Sequence, residues 1–150
     1  MRTLQDWFNE YSVSHQNKTN KAIHYICVPA IFFSIVGLLM SIPNGILNFL
    51  PSFFANWAFI ALCLVSVFYF RLSVKMGMQI VLFSLSCLLL NYYIGQQVSL
   101  WKFSLLVFGL AWIGQFYGHK VEGKKPSFFK DLQFLLIGPA WVIHSIFNGK

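Results

Sequence analysis

The sequence predicts an all-α integral membrane protein, with about four transmembrane helices and a C-terminal re-entrant or interfacial apolar segment. Three observations carry that prediction. The chain of 150 residues is 57% hydrophobic, with a mean hydropathy of +0.64. Only 10% of its residues are charged, where a soluble domain carries about 25%. Apolar stretches long enough to cross a bilayer alternate with short polar or Gly/Pro-containing breaks. The length suits one domain, so residues 1–150 are read as a single membrane domain.

Residues 1–25 form a polar N-terminal segment that includes Asp6 and Glu10. A secretory leader would set a basic patch directly before an apolar run and follow it with a small-residue cleavage site, so this segment is expected to belong to the mature protein. The spans are predicted at approximately 26–42, 53–70, 76–94 and 100–118. At 1.5 Å per residue, roughly 17 to 20 residues cover about 26–30 Å, the thickness of the hydrocarbon core. Pro43, Asn44 and Gly45 close the first span, Arg71 and Lys75 the second, and Gly95-Gln96-Gln97 the third. The fourth helix is expected to run a turn beyond its span and to stop at Gly123 and Pro126. Trp57, Tyr92, Tyr93 and Trp101 sit near span ends, as interfacial anchors do. The last apolar stretch, 132–147, is short and carries Gly138-Pro139; a proline removes a backbone donor, so a broken hairpin is expected there. Cys27, Cys63 and Cys87 lie inside apolar runs with no C-x-x-C motif, as small core hydrophobes do.

Charge sets the expected orientation. With the N-terminus, the loop 71–75 and the tail after Gly118 on one side, every Lys and Arg except Lys102 falls on that side, and so do Asp6, Glu10, Glu122 and Asp131. The positive-inside rule makes that side, and both termini, cytoplasmic. The corresponding membrane is the bacterial inner membrane in a prokaryote or the endoplasmic reticulum in a eukaryote. No soluble basic domain is present, which argues against nucleic acid as a partner.

This topology brings His15, His24 and His119 to one membrane face, and His144 joins them if the last segment turns back. Ionisable groups at such positions are costly in lipid and point to chemistry. Imidazole suits iron, zinc and copper. Asn17 and Asn20 lie between the first two histidines, and Gln115, His119 and Glu122 are spaced i, i+4, i+7 on one helix face. Metal-bound histidines donate their second ring N–H to such amides, carboxylates or carbonyls, so Glu122 is either a ligand or such an acceptor. The polar stretch 16–20 predicts a break between His15 and His24, with Thr19 or Asn20 capping the first membrane helix. The spacing matches no standard zinc motif.

Two signatures extend this. Tyr11-x-x-x-His15-x-x-x-x-Asn20-x-x-x-His24-x-x-x-x-Pro29 and Trp112-Ile113-x-Gln115-Phe116-x-Gly118-His119-x-x-Glu122-Gly123-x-x-Pro126 resemble those of a small membrane-protein family, long catalogued as of unknown function. That family includes the fungal endoplasmic-reticulum Fe(II)-dependent 2-hydroxy-fatty-acid dioxygenase. Cys27 stands where the family pattern places a glycine, and relatives often carry another polar residue near His144. The resemblance implies a membrane-bound non-haem dioxygenase that converts 2-hydroxy fatty acids and O2 to acids one carbon shorter. It implies His15, His24 and His119 as catalytic Fe(II) ligands, with His144 a further candidate and zinc an alternative metal. Tyr11, Asn20, Gln115 and Glu122 would support the ligands, and Lys21 or Lys120 would attract the carboxylate. Two other classes fit the residues: a haem-binding electron carrier with two axial histidines, and a non-catalytic transport or lipid-binding scaffold in which the histidines are structural.

Overall fold

A computed structural model describes residues 3–13, 15–123 and 128–148. The described residues form six α-helices and no strand: α1 (Leu4–Ser12), α2 (Lys18–Met40), α3 (Trp57–Leu72), α4 (Val74–Gln97), α5 (Leu100–Glu122) and α6 (Phe128–Asn148), with a 3-10 turn at Gly45–Leu47. Three of them, α2, α4 and α5, are long and apolar enough to cross a membrane, at 23, 24 and 23 residues. Each rises roughly 35 Å. The stretch expected to span 53–70 forms the shorter α3, 16 residues long. It starts late because Asn56 caps it, its side chain accepting from the Phe59 N–H at 2.9 Å.

Several ends differ from expectation for local reasons. The first long apolar helix, α2, begins at Lys18, and its cap is Asn17 rather than Thr19 or Asn20. The Asn17 Oδ1 accepts from the Thr19 and Asn20 N–H groups at 2.8 and 3.3 Å. The loop 71–75 contracts to Ser73, which is extended (φ −166°, ψ 128°) and serves both as the end of α3 and as the cap of α4. Gly123 ends α5 as expected: its φ of +73° is the left-handed conformation, and its N–H reaches the Lys120 carbonyl at 3.1 Å. Pro126 lies outside the described residues.

Two larger corrections follow. The polar N-terminal segment contains α1, opened by a capping box in which the Thr3 Oγ1 accepts from the Asp6 N–H and Asp6 accepts from the Thr3 N–H. The helix buries Phe8 and Tyr11 and packs on α6. The expected break at Gly138-Pro139 is absent, because α6 continues through both residues. A proline costs a helix one hydrogen bond; here it sits among buried Ile137, Ala140, Trp141 and Val142, and that apolar burial offsets the loss. Pro29 lies inside α2 in the same way.

The chain divides into two compact units, Met1–Phe32 with Gly109–Lys150, and Phe33–Phe108. In the second unit α3 packs on α4, and Asn91 of α4 is wholly buried. Its Nδ2 donates to the Phe33 carbonyl of α2 at 3.1 Å and to the Cys87 carbonyl at 2.9 Å. Gly37 lets α2 approach this node, since a Cβ there would overlap the Asn91 Oδ1 and the Ser104 Oγ of α5. Gly37→Val should therefore destabilise the protein by at least about 1–3 kcal/mol, the usual cost of overpacking. Thermal melting in detergent checks this, and an unchanged midpoint would contradict it. All four histidines lie in the first unit.

Candidate metal centre

The first unit brings His15, His24 and His119 together from three segments: the connection after α1, the second turn of α2, and the end of α5. They are 2, 2 and 6% exposed. Ring centroids are 4.3 Å apart for His15 and His24, 5.2 Å for His24 and His119, and 5.8 Å for His15 and His119. One candidate ligand nitrogen from each lies within 4.8 Å of the other two. Two nitrogens on one ion lie at most about 4.2 Å apart, given bonds of roughly 2.1 Å, so small ring rotations bring this set onto a single ion.

Backbone carbonyls orient two of the rings. The His15 Nδ1 is 2.7 Å from the Tyr11 carbonyl, and the His24 Nδ1 is 2.9 Å from the Asn20 carbonyl. A carbonyl can only accept, so each Nδ1 carries the proton and each Nε2 keeps its lone pair. Metal-binding histidines are commonly held in this way. The Tyr11 ring stacks on His15, with centroids 4.0 Å apart and planes 5° from parallel. Trp141 packs beside Tyr11 and His15 at 5.1 and 5.8 Å.

Glu122 acts as an acceptor that clasps the backbone around His15 and His24. Its carboxylate takes hydrogen bonds from the Gln16 N–H at 2.8 Å, the Asn17 N–H at 3.0 Å and the Asn20 Nδ2 at 2.8 Å. The end of α5 is thereby tied to the residues just after His15 and to the first turn of α2. Charge-assisted bonds of this kind are the stronger class. Among the described residues no acidic side chain joins the three-histidine group. Asn20 is fully buried, and Gly118 leaves room for it: a Cβ at Gly118 would lie 2.5 Å from the Asn20 Oδ1 and 3.5 Å from the His24 Cε1. One turn back along α5, a Cβ at Gly114 would lie 2.5 Å from the Cys27 Sγ, so the absent side chain of Gly114 accommodates the thiol.

A cavity of about 30 Å³ adjoins the imidazoles. Its lining includes His15, His24, His119, Gln115 and Tyr11, and Val28, Ile31, Trp112 and Phe134 supply the apolar wall. His144 is not part of the cluster. It packs against Phe8, centroids 4.9 Å apart, and lines a separate cavity of about 390 Å³ with Lys21 and Trp141. On α6 it is Trp141, about one turn before His144, that packs against His15, while His144 lies beside Phe8 of α1. Trp141 and Phe134 were not singled out in the sequence; their only signal was aromatic character within an apolar stretch, which core residues share.

The family model described as 2-hydroxy-palmitic acid dioxygenase Mpo1-like matches residues 1–149. No curated protein and no solved structure matches the chain. The match takes in both histidine signatures and nearly the whole sequence, and the chain belongs to the Mpo1-like family.

Proposed function

We propose that the protein is a membrane-bound non-haem Fe(II) dioxygenase that shortens 2-hydroxy fatty acids by one carbon. The observation that carries this reading is the buried cluster of three imidazoles, two of them locked by backbone carbonyls with Nε2 left to bind a metal. The family's printed description names the substrate class that such a centre would serve. The donor set fits the ion: neutral imidazoles are borderline ligands suited to iron, and three of them leave positions for exogenous oxygens. When bound, Fe(II) supplies the redox chemistry with O2 that no amino-acid side chain can.

The chain's own contribution is position and exclusion of water. His15, His24 and His119 hold the ion, and Glu122 and Asn20 hold the backbone that presents His15 and His24. Val28, Ile31, Trp112 and Phe134 form a dry wall against which the first carbons of an acyl chain rest. The proposed reaction is balanced without an external reductant: R–CH(OH)–COOH and O2 give R–COOH, CO2 and H2O. The C1–C2 bond breaks, C2 becomes the new carboxyl carbon, and the substrate supplies all four electrons that O2 accepts. By the charge distribution we place the site at the cytoplasmic face. A haem reading is not favoured, because the three imidazoles crowd one another, with ring centroids 4.3, 5.2 and 5.8 Å apart, and leave no gap for a porphyrin plane between any two of them.

Iron-loaded protein incubated with 2-hydroxypalmitic acid and O2 tests the proposal by mass spectrometry. The expected products are the C15 acid and one equivalent of CO2, with none formed by zinc-loaded protein. Unaltered substrate with iron-loaded protein would refute it.

A further inference from the structure

One polar group in the cavity is not used by the metal centre as described. Gln115 is 7% exposed, and its Oε1 accepts no hydrogen bond from any described residue. A buried acceptor left in this way is costly, and one that lines a cavity is where an arriving donor is favoured. The placement of Gln115 indicates which donor. In this unit α2 and α5 run antiparallel, because Gly118 faces Asn20 and His24 while Gly114 faces Cys27. Passing along α5 from His119 to Gln115 to Trp112 therefore parallels passing along α2 from His24 to Val28 to Ile31. The cavity wall changes in that order from ligating imidazoles, to a single carboxamide, to apolar side chains.

A 2-hydroxy fatty acid has the same sequence of groups: a carboxylate, a carbon bearing a hydroxyl, then alkyl chain. We infer that Gln115 determines specificity for the 2-hydroxyl group, its Oε1 accepting the hydroxyl proton while the alkyl chain runs toward Trp112 and Ile31. This rests on the proposed substrate class above. The physical ground is the asymmetry of polar recognition. An apolar wall discriminates weakly against a missing or added hydroxyl, whereas a buried acceptor left without its donor rejects the analogue strongly.

The test reads binding rather than turnover. Zinc-loaded protein is titrated with 2-hydroxypalmitic acid and with 2-methoxypalmitic acid, following quenching of tryptophan fluorescence. The methoxy acid keeps an oxygen that can reach a metal but has no proton to donate. Gln115→Leu is close in size to the wild type, so the bulk of the added methyl counts similarly in both proteins. The wild type should prefer the hydroxy acid by at least about tenfold, and Gln115→Leu should bring the two acids to near equality with zinc content unchanged. Gln115→Met serves for the same comparison if the leucine variant does not fold. An unchanged preference in the variant overturns the inference and leaves the proposed function standing. Loss of zinc in the variant also overturns it, because Gln115 would then serve the ion. Failure of the wild type to bind either acid overturns both.

Discussion

Replacing any one of His15, His24 or His119 by alanine should remove bound iron from the protein and lower turnover by at least about a thousandfold. The three rings are buried and close to one another, and no described acidic side chain in the group can take over as a ligand. Two ligands cannot hold a labile divalent ion against solvent as three do, and the redox chemistry leaves with the ion. His144→Ala is the internal control. Its ring lies against Phe8 in a separate cavity, so iron content should stay at the wild-type level. Metal analysis of anaerobically purified variants checks all four. Full iron retention in the three cluster variants would contradict the assignment, as would loss of iron in His144→Ala alone.

The second large effect is expected at Glu122, which lies outside the three-histidine group. Glu122→Ala removes the acceptor shared by the Gln16 and Asn17 N–H groups and the Asn20 side chain. His15 then loses the tether that follows it, and the first turn of α2, whose Asn20 carbonyl orients His24, is released from α5. Removing a partner that orients ligands commonly costs 10–100-fold in metal affinity, and a loss of about that size is expected here. Competition with a metal chelator measures it. Glu122→Gln keeps a carbonyl acceptor and should fall between wild type and alanine. Equal affinity in Glu122→Ala and wild type would show that the clasp plays no part in metal binding.

The distinction between His144 and the other histidines shows what the sequence could reveal. His15, His24 and His119 could be grouped because charge bias and span ends place segment termini at one face, and both signatures mark them. That grouping needed only which end of a segment each residue occupies. The expected place of His144 rested on whether Gly138-Pro139 breaks a helix, a contest between local propensity and tertiary burial; α6 runs on unbroken and still sets His144 beside Phe8 of α1. Propensity favours a break, but the buried surface of Ile137, Ala140, Trp141 and Val142 prevails. The helix α1 has its own signal in the sequence, since Leu4, Phe8 and Tyr11 recur at helical spacing behind a Thr3-x-x-Asp6 box, but the segment's mean polarity masks the pattern. The spacing sets Glu122 three residues after His119 on α5. That its carboxylate accepts from backbone N–H groups depends on where residues 16 and 17 return in space, and no local spacing encodes that.

The family match and the cluster meet in one claim: that His15, His24 and His119 together hold the iron that acts on a 2-hydroxy acid. X-ray absorption at the iron edge of the loaded protein tests this most directly. The expected spectrum is that of an iron bound by three imidazole nitrogens and by oxygen, with no sulfur, and its oxygen shell should change when 2-hydroxypalmitic acid is added. A porphyrin-like nitrogen shell, a sulfur ligand, or a spectrum that loses no imidazole in His24→Ala would contradict it.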